Sequence, residues 1–143
     1  MAGVSQGRGR SVAGIAIDGG RFFVALRKAG GSLGEKWEFP GGKVDGDESD
    51  EEALKREFLE EFGVKVRVGP RLAGTEFSNK GKSYSLNAYR ISFETMDFKM
   101  VMHTDWRWAT PDEIENDGIA GGRGFADSDL GLFPALREHI ITV

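Results

Sequence analysis

Apolar residues in this chain come in short runs separated by glycine-rich turns, with one stretch at helical spacing between them. Val12 to Ile17 is a β-prone run closed by Asp18-Gly19-Gly20, and Arg21 to Leu26 is a second, so the two predict a hairpin. Arg27 leaves that second strand ahead of a glycine-rich loop, Ala29 to Gly34. Trp37-Glu38-Phe39 predicts a short strand that runs into Pro40-Gly41-Gly42, where glycine lets backbone approach a ligand closely. Trp37 and Phe39 alternate along it, which leaves one aromatic ring to pack and the other to face a ligand. Farther on, Leu54, Phe58 and Phe62 recur at i, i+4 and i+8 with Ala53 beside them, the stripe of a helix that docks on a core. Ser49 and Glu52 read as a capping box at its start, and Gly63 as its C-terminal stop. Lys65 to Val68, Leu72 to Phe77 and Ser83 to Phe93 predict strands, the last two joined by a turn at Ser78 to Lys82. Met100 to Trp108 predicts one more strand, Thr110-Pro111 opens a short helix as N-cap and first residue, and a final helix is expected from Leu130 to Ile141 after a loop at Gly118 to Gly124.

Composition narrows what such a chain does. At 143 residues with 39% hydrophobic content it is one domain with a real core, read as residues 11–143 behind a small, polar, flexible lead-in at residues 1–10. A net charge of −4, with only Arg8 and Arg10 clustered near the start, argues against a nucleic-acid polymer or an anionic membrane as partner. No cysteine is present, so neither a disulfide framework nor thiolate chemistry applies. With no secretory signal and no apolar run of spanning length, a cytoplasmic location is expected.

The charge is unevenly placed. Between Gly42 and Val64 lie nine of the 23 acidic residues, and Glu57, Glu60 and Glu61 stand at i, i+3 and i+4, where a helix stacks them on one side. Like charges at that spacing oppose helix formation, so a cation is the simplest reason to gather them. An all-oxygen ligand set in a segment without Cys or His points to a hard ion, Mg²⁺ first, with Mn²⁺ able to substitute.

Gly42, five residues, Glu48, seven residues, then Arg56-Glu57-Phe58-Leu59-Glu60-Glu61-Phe62-Gly63-Val64 resembles the full signature of the Nudix hydrolases, and Trp37 to Gly42 is similar to the segment that precedes it in MutT-like members. The resemblance implies an α/β fold, a Nudix-type α/β/α sandwich around a mixed sheet. It implies Glu60 and Glu61 as core metal ligands, Glu57 as ligand or orienter of the attacking water, the Gly41 carbonyl as a further ligand, and Arg27 as a contact to substrate phosphate. Arg56 would pair within the motif and fix carboxylate geometry, which a guanidinium fork does and lysine does not; Glu48 would be a secondary ligand or a loop anchor. Many members carry a further glutamate where this chain has Met102, beside His103, and Asp105 is the nearest oxygen donor, expected as the distal ligand or base. His103 is read first as a strand residue, with a catalytic part as the lesser alternative. Asp127 and Asp129 are both candidates for the base edge, with Phe39 beside the base, and sequence does not choose between the two aspartates.

The implied activity is hydrolysis of a nucleoside triphosphate, standard or oxidised, to the monophosphate and pyrophosphate. CTP, sugar nucleotides, dinucleoside polyphosphates and a non-catalytic nucleotide sensor stay open, as does the choice between monomer and homodimer.

Overall fold

The run Val12 to Ala16 is apolar without alternation because both faces of the strand it forms are covered. In the computed structural model, which describes residues 8–31, 34–133 and 135–141, Ala13 and Ile15 enter one core while Val12 and Ala16 enter another. This strand, β1 (Arg8–Ile15), is followed by β2 (Ile17–Asp18), β3 (Arg21–Arg27), β4 (Trp37–Glu38) and β5 (Gly41–Lys43), then helix α1 (Asp50–Phe62). β6 (Val66–Asn79), β7 (Lys82–Phe93) and β8 (His103–Ala109) precede three short helices, α2 (Pro111–Glu115), α3 (Asp127–Leu130) and α4 (Ala135–Ile141).

The strands form two four-stranded sheets. One has the order β5-β1-β7-β6, with β1 parallel to β7 and the other pairs antiparallel. In the second, β3 carries β2, β4 and β8, all antiparallel to it. α1 covers one side through Ala53, Leu54, Phe58 and Phe62, packed with Val12, Phe23 and Ala25. Ile114 of α2, Leu132, Phe133 and Leu136 cover the other with Phe22, Val24, Trp37 and Phe39. The result is the mixed-sheet α/β sandwich expected.

The local signals hold where the chemistry is local. Ser49 and Glu52 form the capping box at α1, Gly63 ends the helix at φ 69°, and Thr110 and Glu113 form a second box at α2. Gly19 and Gly20 turn β2 into β3, and Lys80-Gly81 turns β6 into β7, both with positive φ. Several boundaries differ. β1 begins at Arg8, inside the segment read as a lead-in, because Arg8 to Arg10 pair with Ser83 to Ser85; residues 1–7 lie outside the described residues. The strands expected at 65–68 and 72–77 are one strand, β6, with register breaks around Arg71. β8 starts at His103 rather than Met100. The single helix expected from Leu130 is two, α3 and α4, with a turn after Leu130. Of the loop at Ala29 to Gly34, Ser32 and Leu33 lie outside the described residues. Trp37 and Phe39, two residues apart on an extended chain, share a side, and both enter the same core at 1% and 2% exposure. Among the described residues no helix is long and apolar enough to cross a membrane.

Candidate active site

The helix that carries the acidic residues presents them unequally. One turn of α1 buries Phe58 and Phe62, and Glu61, beside Phe62, is drawn inward with them to 8% exposure. Glu57 is mostly covered, its side chain 14% exposed, whereas Glu60 stands in solvent at 59%. The three therefore form a graded edge from buried to open, rather than one uniform face. A Cβ at Gly42 would overlap the Glu57 carboxylate, so the first glycine of the motif is there because a carboxylate occupies the space of its side chain.

Arg56 ties this edge to the loop before it. Its Nε and Nη2 reach the two oxygens of Glu48 at 2.6 and 2.9 Å, its Nη1 reaches Glu57 at 2.8 Å and Glu60 at 3.2 Å, and Nη2 also donates to the Lys43 carbonyl at 3.0 Å. Glu48 further accepts from the Asp45 N–H at 2.9 Å. With both oxygens engaged in this way Glu48 is a loop anchor, and the Arg56 guanidinium holds its carboxyl down at about 2.

Glu61 meets the opposite fate. Burial first, then its hydrogen bond to Glu57 and the charges of Glu57 and Glu38, push its carboxyl up to about 9, with Arg27 acting against the shift. Facing it is His103, at the start of β8, whose side chain is wholly buried and stacked on Phe62, with ring centroids 4.9 Å apart. His103 Nε2 lies 2.8 Å from Glu38 Oε2, which also accepts from Arg27 Nη1 at 3.2 Å. His103 Nδ1 and Glu61 Oε1 are 3.9 Å apart, and neither has a hydrogen-bond partner.

Beside this cluster opens a cavity of about 270 Å³. Arg27, Glu38, Gly41 and Gly42 line the part toward α1, and Phe39, Phe77, Tyr84, Leu86 and Asp129 line the rest. Phe77 and Tyr84 stack at 5.1 Å, with the Lys43 ammonium 5.3 Å from the Tyr84 ring centre. Asp129 is buried and accepts from the Phe39 N–H at 2.9 Å; burial, then the charge of Glu38, pushes its carboxyl up to about 8.

Arg27, Phe39, Gly41 and Asp129 thus share one cavity, and Glu57 borders it at Gly42. Asp127 does not join them: it is exposed in the first turn of α3. Asp105 is also turned away, capping the Trp106 N–H at 2.8 Å and pairing with Arg107 at 2.9 Å. Beside Glu61 stand instead His103 of the same strand, which sequence reasoning kept mainly as a strand residue, and Glu38 of β4, which it did not single out. Their signal in the sequence is a charged or titratable residue among aromatic strand residues, Glu38 between Trp37 and Phe39, and His103 just before Trp106 and Trp108.

The description "NUDIX domain" matches residues 7–127 of this chain. A CTP pyrophosphohydrolase of Escherichia coli is 33% identical over 71% of this chain and 76% of its own length. An oxidized purine nucleoside triphosphate hydrolase of Danio rerio is 26% identical over 87% of this chain and 76% of its own. The solution structure of the E. coli ORF135 protein superposes with a TM-score of 0.77 at 30% identity, covering 92% of this chain and 89% of that one. With the signature glycine Gly42 in the cavity wall against Glu57 and the match running along most of the chain, this protein belongs to the Nudix hydrolases, of the MutT-like kind.

Proposed function

We propose that the enzyme hydrolyses a nucleoside triphosphate, standard or oxidised, to the monophosphate and pyrophosphate, with the base in the Phe39, Tyr84 and Asp129 end of the cavity and the phosphates toward Arg27 and α1. The observation that carries this reading is the cavity itself, whose wall holds the buried carboxyl of Asp129, fit for a base edge, together with Gly42, against which the Glu57 carboxylate lies. With its carboxyl raised to about 8, Asp129 is protonated at neutral pH and both donates and accepts, the complement of a base edge that offers an acceptor beside a donor. Relatives named for CTP and for oxidised purine triphosphates support a nucleotide substrate and leave two base classes to be separated by assay.

The residues fit a divalent cation. Glu61 holds a buried oxygen without a partner beside Glu57, and Glu57, Glu60, Glu61 and the Gly41 carbonyl are the groups that would hold Mg²⁺. Such an ion, when bound, offsets phosphate charge and makes water more acidic. The protein's own part is positional. Arg56 fixes Glu57 through the Glu48 anchor, Glu57 is the group placed to orient the attacking water, and Arg27, at the cavity wall, reaches the phosphates while balancing Glu38.

The test is Mg²⁺-dependent turnover across oxidised guanine triphosphates, CTP, sugar nucleotides and dinucleoside polyphosphates. Pyrophosphate released from one triphosphate, and lost in Glu60→Gln with unchanged melting temperature, is the expected result. Turnover confined to sugar nucleotides or dinucleoside polyphosphates would overturn it.

A further inference from the structure

His103 is a side chain with no stated task and an unusual setting. An ionised Glu38 only accepts, so the short contact at Nε2 suits a ring N–H there, and in the neutral ring that tautomer leaves the lone pair on Nδ1. The stacked Phe62 ring sets the plane of the imidazole, and Arg27 holds Glu38 from the far side. The lone pair points into the gap that separates it from Glu61 Oε1, 3.9 Å away. That distance is too long for a hydrogen bond. Bonds of about 2.1 Å to nitrogen and to oxygen set two donors of one ion about 3.0–3.4 Å apart at octahedral or tetrahedral angles and at most about 4.2 Å, so the gap admits one ion once either side chain moves in by about half an ångström. Two buried polar atoms facing one another without partners are costly unless something lies between them.

The surrounding groups repeat a known pattern of metal chemistry. A histidine that binds a metal through one nitrogen commonly donates its other N–H to a carboxylate, which fixes the tautomer and raises ligand basicity. Glu38 stands in that relation to His103, and the ligand oxygens of Glu38 and Glu61 and the imidazole all lie within 4.8 Å of one another. An imidazole ligand changes which ion is preferred, because nitrogen suits Fe²⁺, Co²⁺ and Zn²⁺ best and Mn²⁺ takes it more readily than the hard, oxygen-seeking Mg²⁺ does.

We propose that His103 Nδ1 and Glu61 Oε1 are ligands of one divalent cation, with Glu38 as the residue that positions the ring, and that this nitrogen ligand tunes the enzyme toward Mn²⁺ over Mg²⁺. The proposal rests on the reading above only in placing a cation against α1. His103 thereby supplies from β8 the distal ligand that Asp105, turned to Arg107, does not.

Pulsed EPR of the full chain loaded with Mn²⁺ alone, without nucleotide, tests this directly. The expected spectrum shows coupling to an imidazole ¹⁴N that changes when the unmutated chain is made with ¹⁵N-histidine, a comparison that requires no variant to fold. In His103→Gln the coupling disappears and Mn²⁺ affinity falls roughly 10–100-fold, with a smaller change for Mg²⁺; Glu38→Gln weakens Mn²⁺ about 10-fold while the nitrogen coupling persists. Bound Mn²⁺ without nitrogen coupling, or equal loss of Mn²⁺ and Mg²⁺ affinity in a folded His103→Gln, overturns the inference. The two readings fail separately. Nitrogen coupling in a chain that hydrolyses no nucleotide keeps the metal site and removes the proposed function, whereas triphosphate hydrolysis with no nitrogen coupling does the reverse.

Discussion

Arg56 makes contacts that no other cation of the same charge reproduces, because its fork meets both oxygens of Glu48 while a third nitrogen holds Glu57. Arg56→Lys keeps the charge and loses the fork. With the side chain 26% exposed, solvent screening moderates the stability loss to about 1–2 kcal/mol. The larger effect falls on kcat, expected to drop at least about 10-fold as Glu57 loses its fixed geometry; thermal melting and steady-state kinetics separate the two. Asp129 makes a different prediction. Its carboxyl, at about 8 in the folded protein against an ordinary 3.8, binds a proton that the unfolded chain releases. Folding stability from this group therefore declines as pH rises from about 4 to 8 and is level above that. Binding that uses the acid form weakens over the upper part of the same range, so KM rises through pH 8 in the wild type. Asp129→Asn, which keeps an oxygen for the Phe39 N–H, is expected to flatten that rise, as a pH series of KM on both proteins would show. Sequence offered Asp127 and Asp129 equally, because what separates them is the Phe39 N–H, 90 residues away along the chain.

At the scale of elements, α1 was legible almost residue by residue. Its cap, its stop and its apolar stripe are all set by neighbours within four residues, and the Arg56–Glu48 anchor spans only eight. The motif glycine tests the link between loop and helix. Gly42→Ala puts a methyl group where the Glu57 carboxylate sits, so activity is expected to fall by about 100-fold or more while the far-UV spectrum stays unchanged, because the cost falls on a side chain at the rim. A small change in kcat would mean that Glu57 has another resting position. Strand contributions were harder to read. His103 matters only because β8 pairs with β3 at Arg27, with a register shift there, while α1 brings Glu61 to the same spot. Three elements far apart in sequence meet at that point, and no spacing rule within one segment shows it. For the same reason Asp105 was a fair expectation from its position, and its engagement with the Trp106 N–H and Arg107 shows only in the fold.

For the whole molecule, the gap between His103 and Glu61 joins site and stability. Both belong to the core that α1 shares with β3 and β8, and an ion seated there binds the folded chain alone. Chelation is expected to abolish turnover and also to lower the melting temperature. Mn²⁺ at a hundredfold excess over its Kd restores about 2.7 kcal/mol, roughly 5–10 °C for a chain of this size; an identical melting curve with and without the ion would count against a site within the core. The parallel pairing of β1 with β7 has another consequence. Synthesis delivers β1 first, yet its partner begins only at Lys82, after β6 has been made. Through most of translation the apolar run Val12 to Ala16 has no mate on that edge, so a ribosome-bound chain stopped before β7 should be protease-sensitive and in need of a chaperone, whereas the released 143-residue chain, with β8 on β3 and the second core covered, should not.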